Sequence, residues 1–227
     1  MRPQAGALAA VLLCLALAAA AQPYRSGKPG KEVRLFNGRD LTGWTFHLSD
    51  PAARMQDVWR VDPREPVLIC RGYPIGYIRT TKDYTSFILR LQWRFSPITK
   101  QAGNGGVLLR VTGPDKVWPR SIEAQLQSGG AGDIWLIDEA PLNTPPERVD
   151  PNVPRHRLHI RANERPIGEW NDYEIVCDGP EVTLKVNGVA LNAGDGAEVV
   201  PGKIALQSEG AEIHFRSIRL IPLVPRK

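Results

Sequence analysis

Residues 87–95, FILRLQWRF, alternate without a break: Phe87, Leu89, Leu91, Trp93 and Phe95 fall on one face, Arg90, Gln92 and Arg94 on the other. Strand side chains point to opposite faces in turn, so a period of two marks a β-strand with one buried face. The sign recurs on both sides. Val107, Leu109 and Val111 make the core side of a strand entered through the tight turn Asn104-Gly105-Gly106, and Arg110 shares the face of Leu108. EWNDYEIVCDG (169–179) and PEVTLKVNG (180–188) are two further strands, and Asn187-Gly188 is a strong hairpin signal. GKIALQSEG (202–210) and AEIHFRSIRLIPL (211–223) close the chain, with Gly210 in the turn between them. No segment sustains a helical period. The chain reads as all-β, a sandwich of two antiparallel sheets with at most one or two short helices.

The N-terminus reads differently. Arg2 precedes an apolar run from Ala5 to Ala21 that ends in Ala19 and Ala21, the pattern of a secretory signal peptide cut before Gln22. The expected organisation is a signal peptide over 1–21, a disordered Gly/Pro/Lys linker over 22–31, and one β-domain over 32–224. An exported, periplasmic or extracellular protein follows, with no transmembrane segment in the mature chain. The net charge of +5 is scattered rather than clustered, which suits an anionic neighbour such as a cell envelope and argues against nucleic acid. Cys70 and Cys177 lie in strand-like runs and are either a disulfide or two buried thiols.

The candidate site is Trp118–Trp135, WPRSIEAQLQSGGAGDIW. Ile122, Ala124 and Leu126 share one face; Ser121, Glu123, Gln125 and Gln127 share the other, followed by a Gly-rich turn, Asp133 and Trp135. Amide donors, a carboxylate and an aromatic platform suit a sugar; the same pattern also describes a solvated strand face. The segment 138–168 carries six prolines, which exclude a central strand or a helix through most of it and mark a lid expected over that polar face. Its Arg155, Arg157 and Arg161 are expected to form a basic rim. His156 and His159 point apart in an extended chain, so they make a poor metal pair. His47, beside Phe46 and Leu48, has the surroundings of a structural or solvent-facing histidine.

An ordered set of motifs carries a family resemblance. LFNG-LTGW (35–44), GYIRT (76–80), GNGGVLLR (103–110), SIEAQL (121–126), AGDIW (131–135), GEWNDYEI (168–175), VNG (186–188) and IALQSEG-EIHFRSIRL (204–220) span most of the chain. Together they resemble the 3-keto-disaccharide hydrolase domain family, which implies a concanavalin A-like jelly roll and cleavage of 3-keto-glycosides. Two positions depart from the family's usual pattern: Gly105 stands where members often carry Ser, and Ser128 where they often carry an acid.

A 3-keto sugar has an acidified hydrogen at C2. Removing it permits β-elimination of the C1 substituent, and hydration completes a net hydrolysis. On this reading Glu123 is the base, Arg110 or a bound divalent cation stabilises the enolate, and His47 or Asp133 is the acid. Gln125, Gln127, Trp135, Asn104 and Arg155 would bind the sugar. A conventional glycosidase needs two flanking carboxylates, for which Glu123 and Asp133 are candidates, but the resemblance favours the keto route. The alternative function is a non-catalytic carbohydrate-binding or envelope-associated domain.

Overall fold

A computed structural model describes residues 26–224. The alternating segments become two antiparallel sheets packed face to face. The nine-stranded sheet holds β1 (Lys28–Pro29), β2 (Val33–Arg34), β4 (Trp59–Val61), β5 (Leu68–Cys70), β7 (Phe87–Phe95), β12 (Asn171–Asp178), β13 (Glu181–Val186), β14 (Val189–Gly194) and β16 (Ile213–Val224). Its order is β14-β13-β12-β7-β16-β5-β4, with β1 and β2 also on β16. The seven-stranded sheet holds β3 (Trp44–Leu48), β6 (Gly76–Thr80), β8 (Gly106–Thr112), β9 (Arg120–Gln125), β10 (Ile134–Ile137), β11 (His156–Arg157) and β15 (Lys203–Ser208). Its order is β11-β10-β9-β8-β15-β6-β3. One four-residue helix, Met55–Val58, and one 3-10 turn, Pro146–Arg148, complete the described elements. None of the described helices is long and apolar enough to cross a membrane.

The core lies between the sheets. Phe87, Leu89, Leu91 and Trp93 of β7 face Ile122, Ala124 and Ile134 of the seven-stranded sheet in one apolar cluster. Each large side chain fully buried there contributes roughly 1.5–3 kcal/mol. The seven-stranded sheet carries a second, small cluster on its other face: Tyr77, Leu108, Val111, Ile137 and Ala205, with Trp135 packed against them. That sheet is therefore covered on both faces. The loop 113–119 reaches across the outer one, where Tyr77 donates to Asp115 at 2.8 Å and Arg79 pairs with the same carboxylate.

Two expectations change, and one open alternative closes. Residues 26–31 are not a disordered linker: Lys28 and Pro29 pair with Val224 and Leu223, and Gly27 N–H donates to Asp178 at 3.1 Å. Edge pairing gives even a Gly/Pro-rich segment partners for its backbone. The segment expected as a signal peptide, 1–21, lies outside the described residues. Cys70 and Cys177 are free, buried thiols; their strands are separated by β7 and β16, beyond the Cα separation of about 7 Å that a disulfide tolerates. Finally, segment 138–168 is not a lid over β9. It runs along the sandwich edge, adding β11 to β10 and bonding β14 through Ile160 N–H to Leu191 O at 3.0 Å.

Candidate functional site

β9 sets the site by alternation. Its inward residues enter the core, so Glu123 and Gln125 face outward, with Glu123 beside Leu108 of β8 and Trp135 of β10, and Gln125 beside Gly106. A cavity of about 260 Å3 opens over them, lined by Asn104, Trp118, Glu123, Gln125, Gln127, Trp135, Ile137, Arg155 and Glu209. Glu123 and the five residues expected to bind sugar thus surround one space.

Glu123 is 5% exposed and its Oε1 meets no donor. Burial, then the charge of Glu209, push its carboxyl up to about 8, against a hydrogen bond from Gln207 and the charge of Arg155. Gly106 makes the enclosure possible: a Cβ there would stand 2.3 Å from Glu123 Oε1 and 2.4 Å from Gln207 Oε1. Gln125 is also buried, and its Oε1 accepts from Leu126 N–H at 2.8 Å and Gln127 N–H at 2.9 Å. Its amide nitrogen is what remains for a ligand.

Trp135 forms the platform. It stacks on His156 with centroids 4.2 Å apart and planes 12° from parallel, and the Arg155 guanidinium lies 5.3 Å from its centroid. Trp118, 49% exposed, supplies a second aromatic wall. Its neighbour across the cavity is Glu209, whose carboxyl burial raises and a Trp118 hydrogen bond lowers. Trp118 bounds the stretch the sequence singles out but had no role assigned there, and Glu209 was not expected, yet the signal is present: Ala205, Gln207 and Glu209 repeat, along β15 and just past its end, the small-polar alternation that marks β9.

Three residues given catalytic roles do not meet Glu123. His47 sits on edge strand β3, four strands from β9, about 19 Å at the usual strand spacing; it packs on Tyr77 at 5.7 Å. Arg110 leaves the face of Leu108 because β8 slips register after Leu109 and Arg110 takes φ 51°. Its guanidinium binds the carbonyls of Thr85, Glu198 and Gly179, each at 2.6 Å, so it ties loops together. Asp133 is buried but occupied: Oδ1 accepts from His159 N–H and meets its Nδ1, both at 2.6 Å, and Oδ2 meets His156 Nε2 at 2.8 Å. His156 Nδ1 meets Asp150 at 3.1 Å. β11 ends at Arg157, and the two histidines converge on Asp133 instead of pointing apart, so Asp133 braces the platform from behind.

Asp133, His156 and His159 meet as a hydrogen-bonded cluster, with Asp150 on His156, and among the described residues no group of three or more His, Cys, Asp or Glu could hold a metal ion. Asp133 is already engaged by two histidines, so these donors do not fit a divalent cation and no step is assigned to one.

The family model for the 3-keto-alpha-glucoside-1,2-lyase-like domain matches residues 31–221. The chain belongs to this family. Membership supports a carbohydrate-active function. No curated protein matches the sequence. Among solved structures, a Parabacteroides distasonis protein provisionally described as a glycosyl hydrolase aligns at TM-score 0.61 and 20% identity, over 85% of this chain and 94% of its own. A Bacillus licheniformis beta-glucanase aligns at 0.55 and 10%, over 89% of this chain and 100% of its own. A Bacillus subtilis carbohydrate-binding module aligns at 0.55 and 10%, over 78% and 95%. At such identities these likenesses show the jelly-roll fold.

Proposed function

We propose that this family member cleaves 3-keto-glycosides, 3-keto-disaccharides among them, by removing the C2 proton, eliminating the C1 substituent and hydrating the product. The observation that carries the reading is Glu123, a buried carboxyl with an unpartnered oxygen at the floor of a cavity walled by Trp118 and Trp135. A carboxyl raised toward the working pH suits proton transfer at carbon. The sugar ring packs on Trp135, whose face suits a pyranose, while Gln125, Gln127 and Asn104 meet its hydroxyls. Arg155 takes the role first given to Arg110, placing positive charge where an enolate oxygen develops.

Turnover of a panel of 3-keto-glycosides beside their unoxidised parents tests this. Expected are cleavage of the keto substrates alone and loss of that cleavage in Glu123→Gln. Cleavage of the parents would indicate two-carboxylate hydrolysis, and binding without turnover a carbohydrate-binding domain; either contradicts the proposal. We also propose export: mass spectrometry of periplasmic or secreted protein should find a chain starting close to Gln22, and an intact Met1 there would contradict it.

A further inference from the structure

The cavity holds two carboxylates in unlike surroundings. Glu209 follows β15, bridges through its backbone to Asn104 and shares the cavity with Glu123. Around Glu123, its own Oε1 and the Oε1 of Gln207 both lack a donor and both stand within 2.4 Å of the point a Gly106 Cβ would occupy. A proton on Glu123 reconciles two acceptors at one place. A rotated Gln207 amide gives Glu123 one neutral donor, the hydrogen bond that lowers its carboxyl, but leaves it enclosed beside another negative charge. Burial raises Glu209 too, but it is only half-buried and accepts from the Trp118 indole, so its charge has both water and a donor.

We propose that the pair divides the work: Glu209 takes the proton from C2, and Glu123 delivers one to the oxygen departing from C1. This rests on the cavity being a 3-keto-glycoside site, and it reverses the sequence reading of Glu123 as the base. Besides Glu209, the charged or titratable groups acting on or near Glu123 are Arg155 at the rim and Tyr173 from the core side. With Glu123 raised to about 8, the pair's single proton rests on it near neutrality. As the C2–H bond breaks, its proton passes to Glu209 and its electrons form the C2–C3 enolate. The C3 carbonyl then re-forms, a C1=C2 double bond appears, the C1–O bond breaks, and the leaving oxygen takes the Glu123 proton. In hydration, water adds at C1 and returns a proton to Glu123, while Glu209 reprotonates C2, restoring both groups.

A 3-keto sugar with no leaving group, 1,5-anhydro-3-keto-glucitol, reports C2–H removal alone by exchange in D2O. Glu209→Gln is expected to lose exchange and cleavage together. Glu123→Gln is expected to lose cleavage of a 3-keto-disaccharide by about 100- to 10,000-fold, to lose exchange by far less, and to regain cleavage when the leaving group is p-nitrophenolate, which departs without a proton. Exchange abolished in Glu123→Gln and kept in Glu209→Gln overturns the assignment. If wild type acts on no keto sugar, the proposed function fails by itself, and carboxyl 13C titration of the free protein still judges the pair: Glu209 should ionise below Glu123, and the reverse order overturns the division of roles.

Discussion

Two of the carboxylate-bearing cavities on this molecule differ in what surrounds those groups. On the outer face of the nine-stranded sheet, a depression of about 400 Å3 holds Glu174 between Arg90 and Lys185, each at 2.8 Å. There Asp172 accepts from Gln92 at 2.7 Å, Glu32 lies 3.7 Å from Arg219, and the Arg90 side chain is 52% exposed. Each acid has a partner and water in reach. The cavity over β9 is smaller, yet it encloses a carboxyl with an oxygen no donor reaches. Burying a polar group without a partner costs stability, and among the buried unpartnered atoms of the described residues Glu123 Oε1 is the carboxylate oxygen, with Asn104 Oδ1, Trp135 Nε1 and Gln207 Oε1 at the same site. Enclosure without satisfaction, rather than size or charge, separates the site from a solvated sheet face.

Exchanging each acid for its amide breaks this comparison most sharply. Glu123→Gln is expected to lower kcat/KM on a 3-keto-glycoside by about 100- to 10,000-fold, and Glu174→Gln to leave it within a few-fold of wild type; steady-state kinetics on both variants checks this. Arg110→Ala comes next. It strands three carbonyls that the guanidinium holds, and denaturant unfolding should show a loss of roughly 3 kcal/mol or more.

The same site was partly legible in the sequence. Alternation over 121–127 found Glu123, Gln125 and Gln127, and Trp135 and Asn104 followed from adjacent motifs, because an unbroken pleat fixes which way each side chain points. The reading failed where the pleat breaks or where distance depends on sheet order. Arg110 sits at a bulge that no local pattern announces. His47 shares the outer face but lies four strands away, and strand order is a property of the whole topology. Glu209 carries the right alternation just past the end of β15, where the chain crosses to β16 in the other sheet, so no local pattern says which face it lines. The histidines at 156 and 159 meet on Asp133 because the strand ends at Arg157, between them, whereas spacing arguments assume an unbroken strand.

Smaller effects sharpen the contrast. Glu123 has its folded value near 8 and an ordinary value of 4.5, so between these the native state keeps a proton that the unfolded chain has released. Stability of the wild type therefore falls as pH rises across that window. Glu123→Gln lacks this penalty and should gain on wild type by on the order of 1–4 kcal/mol across it, measured by urea unfolding at each end. Glu174→Gln, on the outer sheet, should cost about 1 kcal/mol or less in the same experiment.

The most direct test of the account is the pH dependence of kcat/KM for a 3-keto-disaccharide, followed from mildly acidic to alkaline pH in wild type and in Glu123→Gln. The account predicts a wild-type profile that falls with a midpoint near 8, where Glu123 loses its proton, and a Gln variant that is strongly impaired and lacks that limb. A wild-type profile flat through this region, or a Gln variant retaining both the rate and the limb, would contradict the claim that the buried carboxyl of β9 is the acid–base centre.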